Sequence, residues 1–348
     1  MDTIRIAMIG AGFIGGLFAE SAGDVAGVEL AGVHTPNPAE ADAFAERYGI
    51  PRVYRDLAAL AADDSIDAVY VASPNSVHAE QAIQMLQAGK HVLVEKPMGL
   101  NAAQATAMIE AARRSGRLLM EAYRAAFEPN IAALRDGLAR IPQVRRAVLI
   151  MDQYSSRFDA YKAGKVLPAF DPAFGGGSIM DLGFYPVSLA VHLFGEPKTV
   201  TATGLLLDSG ADGQGTILLG YDGFEVACLH SKISTPGIDS QIAGELGALV
   251  FDDCAAPTRV RLVGREGSSS DARASRHADA AEDLTRERSG GFLTHEIAEF
   301  AHLVQAGALE SALHPLANSL ATMKTLDEAR RQVGVRFPAD QDAGAELP

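Results

Sequence analysis

At 348 residues the chain is longer than one hydrophobic core normally organises, so two domains are expected. A formal net charge of −14 leaves no basic excess to neutralise phosphates, which excludes nucleic acid and anionic membrane as partners. Hydrophobic content of 48% with 21% charged residues is ordinary for a globular protein, and Cys228 and Cys254 read as two small buried hydrophobes in a reducing cytosol.

The first 122 residues alternate two grammars. IRIAMIG (4–10), ELAGVH (29–34), AVYVAS (68–73), HVLVE (91–95) and LLME (118–121) are short apolar runs that read as strands buried on both faces. Helical patterns over 13–22, 38–48, 77–88 and 101–115 separate them, the last opening on Asn101 with Gln104 three residues on, a capping signal. This alternation predicts a doubly wound parallel sheet, a Rossmann-type domain over 1–122. From about residue 123 a helix (127–140) leads into VRRAVLIMDQYSS, and a glycine run introduces a helical segment at 178–194. TVTATGLLL, GQGTILLGY, FEVACLHSKI, SQIAGELGALVF and RVRLVG then follow one another with alternating polarity. They predict a second α/β domain, 123–338, built on a large, mostly antiparallel open sheet with helices on one face. Residues 266–291 are rich in serine, alanine and charge and read as a solvated mobile loop. Helices return at 292–306 and 315–334, and 339–348 is expected to fray.

Gly10-Ala11-Gly12-Phe13-Ile14-Gly15 has G-x-G-x-x-G spacing directly after the first strand and at the start of the first helix. In that context Gly10 permits the tight turn, Gly12 lets a pyrophosphate approach the backbone, and Gly15 allows close helix–strand packing; Phe13 and Ile14 complete the loop. A dinucleotide site is the reading. The second strand ends in GVHTPNP with no acid between Leu30 and Ala39, so the carboxylate that usually holds a ribose 2′-hydroxyl is missing. Nothing there repels a 2′-phosphate, and His34, Thr35 and Asn37 offer donors to one. NADP is therefore expected ahead of NAD.

Ser73-Pro74-Asn75, with His78 after it, stands at a strand's carboxyl end, where doubly wound sheets bind ligands. Glu95-Lys96-Pro97 ends the next strand in the same way, and these residues join the expected cofactor contacts. In the second domain GGGSIMDLGFYPV (175–187) carries Asp181 and, four residues on, Tyr185. These motifs, with EIAEF…HPLANSLATMKTLDEAR near the end, make the chain similar to the glucose–fructose oxidoreductase / inositol dehydrogenase (Gfo/Idh/MocA) family over nearly its whole length. The resemblance implies a Rossmann domain followed by an α/β domain whose open sheet builds the substrate site and often a subunit interface. It thus implies a homodimer or homotetramer. It gives Lys96 a role in substrate positioning and proton handling, and makes Glu95 and Pro97 walls of the nicotinamide pocket. Asp181 and Tyr185 map onto the family's D-x-G-x-H/Y element. Tyrosine, where many members have histidine, resembles the branch with glucose–fructose oxidoreductase, dihydrodiol dehydrogenase and xylose dehydrogenase, mostly users of NADP. One departure is Ala126, where many members carry arginine; Arg124 is a partial replacement.

The chemistry stands without the family. Oxidising a secondary alcohol requires hydride loss to nicotinamide and removal of the hydroxyl proton. A phenol with a pKa near 10 is a poor base at neutral pH, but a nearby ammonium favours phenolate, so Lys96 beside Tyr185 makes a workable pair. Asp181 would bond a sugar hydroxyl or balance the lysine. A plainer alternative stays open: Ser178-x-x-Asp181 also fits a helix cap, and Tyr185 a core aromatic. Tyr154 and Arg157, after the second domain's first strand, are weaker substrate candidates. His295, Glu299 and His302 share a helical face, read as solvated or domain-bridging and not as a metal site. The expected activity is hydride transfer to or from a sugar, cyclic polyol or related diol. Its rivals are a glycosidase using bound NAD in a transient oxidation, and a non-catalytic dinucleotide sensor. No run of about 18–20 continuous apolar residues appears and no basic-then-apolar leader precedes Thr3, so a cytoplasmic location is expected.

Overall fold

Strands β1 (Ile4–Ile9), β2 (Val28–His34), β3 (Val53–Tyr54), β4 (Ala68–Val71), β5 (His91–Glu95) and β6 (Leu119–Ala122) form one parallel sheet in the order β3-β2-β1-β4-β5-β6. The order reverses beside β1, which places a crevice at the carboxyl ends of β1 and β4. The structure, a computed structural model, describes residues 3–264 and 281–341. Every residue of β4 is buried and β5 is buried from Val92 on, as their unbroken apolar runs require of strands covered on both faces.

The intervening helices are α1 (Phe13–Ala22), α2 (Pro38–Tyr48), α3 (Leu57–Ala61), α4 (His78–Gln87) and α5 (Ala102–Ser115). Asn101 caps α5 by accepting from the Gln104 amide at 2.9 Å, and Gln104 Oε1 accepts in turn from the Leu100 amide at 2.8 Å. The two-residue strand β3 and the single-turn helix α3 were not anticipated. Both are too short to show a period and exist through neighbours: β3 through parallel pairing to Val33 and His34, α3 through its Asp56 cap.

By internal contacts the chain divides into two units, and neither is continuous in sequence. One takes Met1–Arg124, Ser289–Met323 and the stretch from Pro338; the other takes Ala125–Arg288 and Lys324–Phe337. A single boundary at 122/123 therefore does not describe the chain. The returning stretch is fastened to the first unit by specific bonds: the Leu293 amide donates to Ser21 Oγ at 3.0 Å, the Gly291 amide to Asp24 Oδ2 at 2.9 Å, and His314 Nε2 lies 3.1 Å from Glu121 Oε2. Helix α9 (Thr294–Gln305) packs on α1 in this unit. Asn101 Nδ2 also donates to the Ala339 carbonyl at 3.1 Å, so the expected frayed tail is bonded where it begins; residues 342–348 lie outside the described residues.

The second unit opens with α6 (Pro129–Leu138) and also holds the short α7 (Phe158–Lys162). It is built on an eight-stranded sheet of β7 (Val144–Asp152), β8 (Thr199–Leu206), β9 (Asp212–Tyr221), β10 (Phe224–Ser231), β11 (Ser240–Gly244), β12 (Gly247–Phe251), β13 (Val260–Gly264) and β14 (Ala281–Asp283). The order is β14-β13-β12-β11-β7-β10-β9-β8, with only β7 and β10 parallel. Of the polar segment 266–291, residues 266–280 lie outside the described residues. The remainder is mostly exposed, as read, but it is anchored and begins with a strand. Its β14 pairs with β13, Arg286 meets Asp136 at 2.6 Å, and Arg288 meets the buried Glu128 at 2.9 Å. Among the described residues, Pro172–Phe194 is long and apolar enough to cross a membrane by composition, with a mean hydropathy of 1.2 over an 18-residue window, yet 72% of that window is buried, as in a core helix. The run was not anticipated because glycines and Asp181 interrupt its apolar residues. The helix α10 (Leu316–Val333) is the last α-helix among the described residues, and a 3₁₀ turn at Pro338–Asp340 follows it.

Candidate active site

In the first unit the glycine loop fits a dinucleotide, by a steric test at each glycine. Gly10 has φ +108°, and a Cβ there would stand 2.4 Å from the Ala72 carbonyl oxygen, so β1 and β4 close together only over a glycine. A Cβ on Gly12 would meet nothing within 4 Å: the loop is open on the side from which a pyrophosphate would approach. At Gly15 the Cβ would lie 3.0 Å from the Gly10 carbonyl oxygen, the close packing expected of the third glycine. Helix α1 begins here with no side-chain cap and no acid in its first turn. Its leading N–H groups and the positive end of its dipole are thus left to an anion. Phe13 projects from the loop, 83% exposed, and Ile14 is half-buried.

The carboxyl end of β2 differs from expectation. His34 is buried with Nδ1 3.0 Å from the Tyr54 carbonyl of β3, and Asn37 Oδ1 accepts from the Ala39 amide at 3.1 Å as the cap of α2. Thr35 is buried. Two of the three expected donor side chains are therefore engaged by the protein's own backbone, His34 through a strand that the sequence did not reveal.

His78 was expected to touch cofactor. It is fully buried, with Nε2 2.8 Å from the Ser73 carbonyl and Nδ1 3.1 Å from the Pro97 carbonyl. The ring ties the Ser73-Pro74-Asn75 turn to the Glu95-Lys96-Pro97 turn, and burial lowers its pKa. The Ser73 hydroxyl donates to Gln81 Oε1 at 2.6 Å, while Pro74 is exposed and Asn75 half-buried at the start of a short 3₁₀ turn. Glu95 is buried and accepts from Tyr70 Oη at 2.5 Å and from the Lys96 amide at 3.1 Å. Burial raises its pKa against the opposing pull of those bonds and of Lys96. Glu95 thus braces the turn from beneath. Lys96 itself is half-buried, and its peptide to Pro97 is cis. Glu121 supports the same turn from β6 by accepting from the Met98 amide at 2.8 Å. Arg124, offered as a substitute for the arginine missing at Ala126, lies with its guanidinium 3.8 Å over the Phe292 ring.

In the second unit Asp181 lies in a π-turn, Ile179–Gly183, which runs into α8 (Phe184–Phe194). A regular α-helical face for Asp181 and Tyr185 was expected. The i→i+5 turn departs from that spacing, and Pro186, which has no N–H, suits such a break. The helix comes close to the sheet at Gly183, where a Cβ would stand 3.1 Å from the His230 ring. Tyr185 is half-buried, its ring edge-on to Phe184 at 5.9 Å.

The helix start is held by groups from distant strands. Asp212 of β9 accepts from the Ile179 amide at 2.8 Å, and His230 Nδ1 of β10 lies 2.9 Å from Ser178 Oγ. Asp212 therefore does the capping that Ser178-x-x-Asp181 suggested. Burial pushes the Asp212 carboxyl up to about 7, opposed by that amide, and pulls His230 down to about 3. Just beyond β10, Lys232 Nζ donates to Asp181 Oδ2 at 2.6 Å, with side-chain exposures of 4% and 46%. Its ammonium also lies 5.4 Å from the Phe170 ring centroid. The sequence offers Asp181 a sugar hydroxyl or Lys96 as its partner and does not point to Lys232, whose only trace is a lysine directly after an alternating strand, which usually means a solvated end. Tyr154 Oη donates to Asp159 Oδ1 at 2.7 Å and accepts from Lys162 Nζ at 2.8 Å, so its hydroxyl serves its own loop, while Arg157 is exposed.

Comparison with known proteins agrees with both units. Residues 4–123 match the model of an oxidoreductase family with an NAD-binding Rossmann fold, GFO_IDH_MocA, and residues 151–269 match its C-terminal domain. The NADP(+)-dependent scyllo-inositol 2-dehydrogenase IolU of Bacillus subtilis is 41% identical over 97% of this chain and 99% of its own. The trans-1,2-dihydrobenzene-1,2-diol dehydrogenase of Xenopus tropicalis is 30% identical over 85% and 87%. Among solved structures, a 3-ketoreductase from Actinomadura kijaniata with NADP superposes with a TM-score of 0.80 at 24% identity, covering 95% of this chain and 98% of that one. Levoglucosan dehydrogenase gives 0.83 at 18%, covering 96% and 98%. These last two bear on the fold.

Proposed function

The chain belongs to the Gfo/Idh/MocA oxidoreductase family, and from that premise we propose that it is an NADP-preferring dehydrogenase of cyclic vicinal diols. The full-length 41% match to an NADP-dependent scyllo-inositol dehydrogenase carries this reading. The second relative acts on a trans-1,2-diol of a six-membered ring, and neighbouring hydroxyls of scyllo-inositol are also trans. The shared chemistry is a ring carbon bearing the reacting hydroxyl with a trans hydroxyl beside it. The acid-free end of β2 supports the preference for NADP.

When bound, the nicotinamide takes or gives the hydride. The protein's part is to hold substrate and move one proton. Tyr185 accepts the hydroxyl proton during oxidation and returns it to the alkoxide during reduction, and Lys96 serves substrate positioning and proton handling. Asp181, held by Lys232, accepts a hydrogen bond from the neighbouring hydroxyl and fixes which ring carbon reacts. Exposed Leu205, Leu206 and Leu218 on β8 and β9 support a homo-oligomer formed through the eight-stranded sheet.

A panel of scyllo-inositol, myo-inositol, trans-cyclohexane-1,2-diol, glucose and levoglucosan, followed at the NADPH absorbance band, tests the reading. Turnover with NADP on the cyclic diols is expected. Cleavage of a glycoside with no net cofactor change would instead favour a redox-assisted glycosidase, and no turnover on any alcohol a dinucleotide sensor.

A further inference from the structure

The expected donors at the end of β2 are largely engaged elsewhere, yet NADP binding requires a group that meets a 2′-phosphate. Between β2 and α3 the only cationic side chains other than histidine are Arg47, Arg52 and Arg55. Arg52 Nη1 pairs with Asp63 at 2.8 Å, and Arg47 lies over the Tyr48 ring at 5.1 Å. Arg55 is placed differently. Parallel pairing of His34 with Tyr54 sets the next residue of each strand, Thr35 and Arg55, side by side at the carboxyl edge of the sheet. Arg55 Nη1 donates to the Pro38 carbonyl at 3.3 Å, and Nη2 to Asp42 Oδ1 at 2.7 Å. The guanidinium is thus drawn across the 34–38 loop from the neighbouring strand.

We propose that Arg55 is the residue that selects NADP, by pairing with the adenosine 2′-phosphate; this rests on the cofactor preference proposed above. A guanidinium has five N–H donors, and the two bonds to Pro38 and Asp42 leave three for a phosphate. Asp42 fixes the orientation of the fork, while the side chain remains 54% exposed and open to a ligand. The usual carboxylate for a 2′-hydroxyl is absent from residues 31–38, so the acid already at the guanidinium is Asp42 of α2, which takes one N–H of the fork. The selecting charge comes from the adjacent strand and not from the glycine-loop unit's second strand–helix connection, where sequence reading looks for it.

The test measures equilibrium binding of NADPH and NADH, by ligand fluorescence, to wild type, Arg55→Ala and Arg55→Lys. It also measures the thermal shift given by adenosine 2′-phosphate against adenosine 5′-phosphate. Loss of one charge-assisted pair predicts a rise in NADPH Kd of about 10- to 100-fold in Arg55→Ala, with NADH Kd within about twofold. The thermal shift from the 2′-phosphate should vanish and that from the 5′-phosphate persist. Arg55→Lys should fall between, since it keeps the charge and loses the fork. The melting temperature without ligand should not move, because the side chain is half-exposed. An NADPH preference that survives in Arg55→Ala overturns the role of Arg55 and leaves the cofactor reading intact. Wild type that binds NADH as tightly as NADPH overturns both.

Discussion

The two compact units position their functional groups by opposite means. In the first, backbone does the work: three glycines shape the loop, α1 offers uncapped N–H groups, and His78 and Glu95 bind main-chain atoms of the turns that carry Ser73 and Lys96. In the second, buried ionisable side chains do it: Asp212 and His230 hold the start of the π-turn, and Lys232 holds Asp181. A backbone-built site serves a ligand that is the same in every turnover. A site built from side chains can be altered one residue at a time, as a substrate site needs.

The largest effect that would test this division lies in the second unit. Tyr185→Phe removes only a hydroxyl, and turnover should fall by about 10²- to 10⁴-fold while NADPH Kd stays constant. Steady-state kinetics beside a binding titration reads both; unchanged turnover would remove Tyr185 from the chemistry.

The role of buried charge is tested by pH. Asp212 is pushed up to about 7 in the folded chain, against 3.8 as its ordinary value. Between those values the unfolded chain has already lost the proton that the folded chain keeps. Stability from this group is therefore complete below about pH 4, declines as pH rises to about 7, and is level above. Asp212→Asn should abolish that decline, a difference of at most about 1.4 kcal/mol per pH unit in urea unfolding. Parallel pH curves for variant and wild type would show that the carboxyl is not held protonated.

The backbone-built site predicts a contrast between two alanines. Gly10→Ala forces a Cβ against the Ala72 carbonyl at a φ that L-residues avoid, and should destabilise the apo protein by about 2–4 kcal/mol. Gly12→Ala places its methyl in open space, so the apo melting temperature should hold while NADPH Kd rises by about tenfold. Equal losses of stability in both would mean that the loop is a structural turn and no cradle.

How much was legible beforehand followed the same division. Helix α1 was expected at 13–22 and α2 at 38–48, and both are found there, because glycine spacing, caps and long periodic faces are local signals. The cofactor loop shares that locality. Strand β3 escaped because two residues show no period, and with it went the engagement of His34 and the placing of Arg55. Lys232 escaped because nothing in HSKIS distinguishes a buried ammonium from a solvated one.

The sequence by itself determined the parallel sheet, the glycine loop, the motifs at the ends of β4 and β5, and the helical segment that follows the 175–177 glycines. Each is written within a window of a dozen or so residues, where steric and hydrogen-bonding preferences act between chain neighbours. Only the tertiary structure decided which charges meet. It paired Asp181 with Lys232 across 51 positions, capped Ile179 with Asp212 across 33, and drew the stretch from Ser289 to Met323 back to the first unit. Such pairings depend on strand order and on burial, which set how strongly two charges interact and are properties of the folded chain alone.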